Sequence, residues 1–259
     1  MGQKVEGFGM RRLSPLLLLL ASALGLSAQW QIFAEKLPPA GAWATYKLET
    51  IRDEKSTGSS ELRFSVRPGP EVKGKPHVWF NVEPVMWLGS RERAPLRLLV
   101  PPNMERAVAS RLIENSAEIV FSNPVKGTYH MTREDIDWVS RWANLSYTST
   151  LTPDQPANEP MAVAGQTYAC ERLQMLATTV TDPPVIDKQV IEFKGRVWRS
   201  DTASFGVVQA EWEEKTTKGS ALKLETKKLT LLAQGKEGPP KEPVDRGAEF
   251  SVWRIIFKR

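Results

Sequence analysis

The side chains that most often carry chemistry are few in this chain, and their spacing excludes most reaction classes. Cys170 is the only cysteine, which excludes an internal disulfide and a zinc site built from several thiolates. The two histidines, His77 and His130, have no second histidine or cysteine at metal-ligand spacing, so each reads as a solvated side chain. No nucleophile elbow, zinc-protease helix, phosphate loop or dinucleotide fingerprint is present. Carboxylates need separate thought, because two of them run glycoside hydrolysis without a histidine when they face each other about 5 to 9.5 Å apart. Glu211, Glu213 and Glu214 in one strand-like run and Glu134, Asp135 and Asp137 at a helix start are the candidates. Glu211 and Glu213 alternate with apolar positions, so this first group is expected on a solvated outer face. The second group is what a helix dipole draws to its N-terminus. Cys170 alternates with Tyr168 and reads as a small buried hydrophobe, with no basic neighbour to activate it. The expectation is a protein that is not an enzyme and holds no metal or cofactor.

The aromatic inventory points to binding instead. The chain has nine tryptophans, and each can bury on the order of 150 Å² or more, worth about 2–3 kcal/mol when fully covered. Trp79 and Trp198 fall on the faces opposite the apolar stripes of their strands. Either the sheet is covered on both sides, or those rings line a concave ligand surface. The residues expected to line a ligand are Trp43, Phe64, Phe80, Trp138, Trp142, Phe193 and Trp212.

Those residues must be positioned mainly by strands, because period-two alternation dominates the chain. Residues 191–197 put Ile191, Phe193 and Val197 on one face, and 208–212 return with Val208, Ala210 and Trp212, the polar stretch 200–204 joining them as a hairpin. In the N-terminal half, 43–51 carries Tyr46 and Leu48 on one side, and 62–66 carries Leu62, Phe64 and Val66. These two should pair. Residues 77–83, 96–100 and, more briefly, 118–121 read as further strands, and 168–175 opens the C-terminal set. Leu222, Leu224, Leu229 and Leu231 change parity near Thr226, which predicts a bulge. Residues 250–257 read as a closing strand, after a Gly, Lys and Pro loop over 234–243. Helical spacing predicts helices over 104–115, with Asn103 as N-cap, and over 133–143, where Thr132 and Asp135 form a capping box and Trp138 and Trp142 lie one turn apart. The three prolines within 152–160 predict a linker or long surface loop. The sum is an α+β fold: a mainly antiparallel, strongly curved sheet or open half-barrel of about nine or ten strands, with two short helices.

The first 28 residues look like a secretory signal peptide, with Arg11 and Arg12 ahead of an apolar run and Ser27 and Ala28 before a cut at Gln29. Met10 directly precedes Arg11 and is an alternative start. The apolar run is shorter than the roughly 20 residues a spanning helix needs, so no transmembrane segment is expected in residues 29–259, which read as one β-rich domain. No cysteine lies at the cleavage point, which argues against a lipoprotein anchor. The net charge of +5 is spread along the chain without a run that suggests nucleic acid. An exported chain without disulfides fits the bacterial periplasm or the cell exterior.

With signal peptide, strand meander, interposed helices and closing strands in place, the chain resembles secreted bacterial proteins of the LolA/LolB lipoprotein-carrier type over most of residues 40–257. That resemblance implies an unclosed antiparallel barrel with helices over an apolar cavity. A local likeness is carried by Trp198, Ser200, Asp201, Phe205, Gly206, Val207 and Val208, similar to a strand, turn, strand segment of uncharacterised exported bacterial proteins in which a proline commonly stands where Phe205 is. It brings no catalytic residues. The leading expectation is therefore a periplasmic binding or carrier protein for a lipid or acyl chain. The alternative is a non-enzymatic envelope scaffold that binds a protein partner.

Overall fold

The structure, a computed structural model, describes residues 32–35, 37–52, 55–86, 93–123, 127–184, 187–238 and 243–250. The signal peptide, both candidate starts and all but the first residue of the 250–257 strand lie outside them. The elements in chain order are β1 (Ala42–Arg52), β2 (Lys55–Pro68), β3 (Val78–Met86), β4 (Arg93–Val100), α1 (Arg106–Ala109), α2 (Leu112–Asn115), β5 (Glu118–Asn123), β6 (Gly127–Met131), α3 (Arg133–Trp142), β7 (Ser146–Val163), β8 (Gln166–Thr181), β9 (Gln189–Arg199), β10 (Val207–Lys218), β11 (Ala221–Lys236) and β12 (Ala248–Glu249). Residues 32–34 add a helical turn ahead of β1.

All twelve strands belong to one sheet, in the order β12-β6-β5-β4-β3-β2-β1-β11-β10-β9-β8-β7. Every pairing is antiparallel except the short β12 with β6. The order is two meanders of sequential strands, β1 to β6 and β7 to β11, sewn together where β1 pairs with β11. The sheet does not close on itself among the described residues, since β12 and β7 end it on opposite sides.

Alternation decides what is buried. Tyr46, Phe64, Phe80 and Leu98 in the first meander and Cys170, Phe193, Ala210 and Leu229 in the second share one core, which α3 covers with Ile136 and Val139. The helix starts where its sequence says it should: Thr132 accepts from the Asp135 amide and Asp135 accepts from the Thr132 amide, a reciprocal capping box. A smaller cluster forms on the other face, where Trp79, Leu99 and Val120 are covered by Val72, Ala117 and Val244. Trp198 is buried too, but within the main core cluster alongside Cys170, and its indole N–H donates to Glu159. Trp79 is therefore covered on the face away from the main core, while Trp198 is packed within that core.

Several expectations are corrected. The proline-bearing stretch 152–160 is no linker but part of β7, which pairs with β8 along its length. Proline tolerates this place because β7 is an edge strand, with no ladder partner on one side. Residues 154–157 bulge out opposite Arg172 alone, and Gln155–Pro156 is cis. The helix expected over 104–115 is two short pieces, and the residue before the second is Arg111 at φ −114° and ψ 45°. The Asn115 amide donates to the Val108 and Arg111 carbonyls, a side-chain bond that competes with the helical ladder. No bulge occurs at Thr226, where pairing runs unbroken to both neighbours. Instead the strand outlasts the apolar core: Leu222 and Leu224 point outward at 65% and 54% exposure, and Glu225 and Lys227 point inward. The β11 irregularity lies at Leu232, between the pairs Thr45 with Ala233 and Tyr46 with Leu231.

Gly195 of β9 pairs with Trp212 of β10. A Cβ there would lie 2.0 Å from the Glu211 carbonyl oxygen and 2.6 Å from the Trp212 Cα, so the backbone would have to move. Gly195→Ala is expected to lower unfolding stability in urea by about 2–3 kcal/mol without changing the denaturant slope.

Candidate functional site

A cleft of about 1120 Å³ lies at the end of the sheet where β9 turns into β10. Its walls come from five separate stretches: Leu37 to Pro39 with Ala42 at the start of β1, Asn158 to Pro160 on β7, Ala169 to Glu171 on β8, the Arg199 to Ser204 turn with Gly206, and Gln234 to Lys236 on β11. Apolar wall and hydrogen-bonding groups are mixed throughout.

The turn is the most organised part. The Ser200 amide donates to the Gly206 carbonyl, the Ala203 amide to Ser200 and the Gly206 amide to Ala203, at 2.8–3.1 Å. Gly206 has φ +72°, a conformation that a Cβ disfavours. Gln234 clamps this turn to β11: its Oε1 accepts from the Ser204 amide at 2.6 Å, and its Nε2 donates to the Thr202 carbonyl and toward the Tyr168 hydroxyl. Held this way, the turn drives Phe205 into the core, with ring centroids 6.0 Å from Phe64 and 6.1 Å from Phe80. The Tyr46 hydroxyl donates to the adjacent Val207 carbonyl at 2.9 Å, and its burial pushes the phenol far above its ordinary pKa.

Two of the charged residues in the wall, Arg199 and Glu159, are paired. Arg199 Nη1 bonds Glu35 Oε2 at 2.8 Å, both largely buried. Glu159 accepts from Trp198 Nε1 at 2.8 Å and from Arg172 at 3.4 Å, while Asp154 on the β7 bulge holds Arg172 and Arg196. Cys170 lines the cleft, but burial, followed by the nearby Glu159 carboxylate, pushes its thiol upward, away from a reactive thiolate. Among the described residues no group of three or more His, Cys, Asp and Glu side chains is placed to hold a metal ion.

At the opposite end of the inner face the carboxylates behave differently from expectation. Glu214, expected on a solvated outer face, turns inward and pairs with Lys227 at 2.6 Å, both nearly buried. It stands across from Glu225, which accepts from Arg52 at 2.5 Å and Lys223 at 2.7 Å. Burial pushes the Glu225 carboxyl upward, but bonds from Lys223 and Arg52 outweigh it and hold its pKa below the ordinary value. Glu211 stays outside, paired with Lys228. The second group does cap a helix: Asp135 closes the capping box and Asp137 pairs with Arg133. His77 and His130 lie against the Lys75 and Arg246 carbonyls, apart from the cleft.

None of the seven aromatic residues expected to line a ligand is in the cleft wall. Phe64, Phe80, Phe193 and Trp212 are packed in the core. Trp43 lies against Gly235 and carries the Arg63 guanidinium 4.6 Å above its ring. Trp138 and Trp142 stack on α3 at 6.4 Å and 10°, with Trp138 42% exposed. The sequence did signal the turn through Trp198, Ser200, Asp201, Phe205 and Gly206, but nothing in it marked Leu37 to Pro39 or Gln234 as neighbours of that turn.

No protein-family model matches the chain, and no curated protein matches it. Three solved structures are similar in the course of the chain. A candidate lipoprotein from Parabacteroides distasonis is 11% identical with a TM-score of 0.38, covering 77% of this chain and 97% of its own. A candidate exported protein with a YmcC-like fold from Bacteroides fragilis is 13% identical with a TM-score of 0.35, covering 78% and 98%. The hypothetical lipoprotein YmcC from Escherichia coli is 14% identical with a TM-score of 0.28, covering 90% and 98%. All three superpositions are too loose to carry a function to this chain, and none bears the name of a LolA or LolB carrier.

Gln234→Ala is expected to cost about 1–2 kcal/mol, because it strips the Ser204 amide of its partner, and to speed hydrogen exchange at that amide. Glu225 has a depressed pKa in the folded state, so its stabilisation is present at neutral pH and lost as pH falls from 4.5 through the folded value. Glu225→Gln should flatten that acid limb in urea titrations.

Proposed function

We propose that this chain is a non-enzymatic binding or carrier protein of the bacterial cell envelope, exported by its signal peptide, whose sheet curls into an open half-barrel around a small amphipathic ligand. The observation that carries this reading is the cleft itself. Its walls include β7 and β11, which stand four places apart in the sheet. At about 4.8 Å per strand, a flat sheet would separate them by roughly 19 Å, so their meeting around one cleft supports a curled sheet. The mixture of proline, alanine and leucine walls with Ser, Thr, Asn and Gln groups suits a molecule with an apolar body and a polar end. The pairing of Arg199 with Glu35 and an unactivated Cys170 favour binding over bond-making chemistry.

A second reading, an accessory protein that docks a polypeptide, is favoured by the outward-facing Leu222 and Leu224 at the end of the β10 and β11 hairpin. Exposed apolar side chains on one face of a hairpin end suit a protein contact.

The two are separated by native mass spectrometry of freshly purified protein and by tryptophan fluorescence on titration with fatty acids. The carrier reading expects a small-molecule adduct or a saturable fluorescence shift, with affinity lowered at least about tenfold by Ala203→Trp, which fills the cleft. A bare polypeptide mass with no fluorescence response overturns it. A specific co-purifying polypeptide that is lost on Leu222→Lys with Leu224→Lys supports the second reading.

A further inference from the structure

The apolar interior that a carrier would offer its cargo is occupied by this chain's own residues 32–35 and Leu37. Ile32, Phe33, Ala34 and Leu37 are all buried, Phe33 with 1% exposure. The Phe33 ring stacks on Phe64 at 4.5 Å and meets Tyr46 edge-on at 5.3 Å, in the same aromatic cluster that receives Phe205. None of these residues belongs to the sheet. Polar ties reach the turn from two sides: the Met104 amide donates to the Glu35 carbonyl at 3.3 Å, and the Glu35 carboxylate meets Arg199. Leu37, Pro38, Pro39 and Arg199 line the cleft, so the cleft ends against the base of this segment.

Seen chemically, the segment presents a carboxylate on a cleft arginine and an apolar body behind it. That is the outline of a long-chain carboxylic acid. We propose that residues 32–35 and Leu37 are a displaceable plug in the site of an acyl-chain carboxylate, whose head replaces the Glu35 carboxylate on Arg199 and whose chain replaces Ile32 and Phe33 against Tyr46 and Phe64. This rests on the carrier reading above and adds the ligand class, the head-group residue and the route of entry. An anionic head matters because Arg199 would otherwise be left buried without its partner once the plug leaves. The segment is anchored where β1 begins, because the Gly41 amide donates to the Val66 carbonyl at 2.8 Å and the Gly41 carbonyl accepts from the Glu237 amide at 2.9 Å.

The test locks the plug. The Met104 amide donates to the Glu35 carbonyl, which makes the two residues neighbours; Glu35→Cys with Met104→Cys, in a Cys170→Ala background, is oxidised, and the bridged species is isolated and verified by mass before comparison with its reduced form. Oleate is titrated into both forms by calorimetry, with methyl oleate as the uncharged comparison in the wild-type and Glu35→Gln proteins. The reduced protein should bind oleate at least about tenfold more tightly than the oxidised one, and Glu35→Gln should strengthen oleate several-fold more than methyl oleate. Equal oleate affinity in oxidised and reduced forms overturns the plug while leaving a cleft binder intact. Equal strengthening of oleate and methyl oleate overturns the assignment of Arg199 to the head group. Absence of binding in every form overturns the plug and the carrier reading together.

Discussion

The pairing of β1 with β11 is the constraint on which the rest of the molecule depends. Each meander is built from hairpin neighbours close in sequence, and neither brings Tyr46 and Val207 together. Once β1 lies against β11, the inner faces of both meanders become one apolar surface, and Tyr46 can donate to the Val207 carbonyl. The extra residue at Leu232 keeps that surface continuous, because a slip of one residue would otherwise send one strand's apolar set to the wrong side. A seam between segments so distant in sequence is entropically costly to form, and the continuous core it creates is what offsets that cost.

That core is finished by pieces that are not strands. Phe205 enters from the turn between β9 and β10, and Phe33 enters from the helical turn ahead of β1. The turn can place Phe205 only because its amides are satisfied within the turn and by Gln234. The same backbone therefore completes the interior on one side and walls the cleft on the other. At the far end of the sheet, where apolar residues run out, the inner face continues as paired Glu214, Lys227, Glu225 and Arg52. Buried charge in that place is tolerated because each group meets an opposite one.

Much of the sheet was legible. Regular alternation located β1, β2, β9 and β10 and their pairing, and the Thr132 capping box located α3, because these signals are local: side-chain direction and terminal amides depend on a few neighbouring residues. The misread stretches are those whose meaning depends on position in the sheet. Prolines at 153, 156 and 160 look like a loop until the strand is known to be an edge. The parity change around Thr226 looks like a bulge until the strand is known to outrun its core. The tryptophans of the strands read either as covered or as a ligand surface, and only packing shows that Trp79 is covered by Val72, Ala117 and Val244 while Trp198 is packed within the main core.

By itself, the sequence determined the class of the molecule: antiparallel strands with few helices. Composition and two-residue periodicity suffice for that, since they report which face of each segment prefers to leave water. Only the tertiary structure decided where a ligand could sit. The cleft is assembled from five stretches spread from Leu37 to Lys236, and its neighbourhoods exist only after β1 has met β11 and the turn at Gly206 has folded inward. No local pattern encodes such a meeting, because the energy that fixes it comes from the burial of surfaces contributed by both halves of the chain.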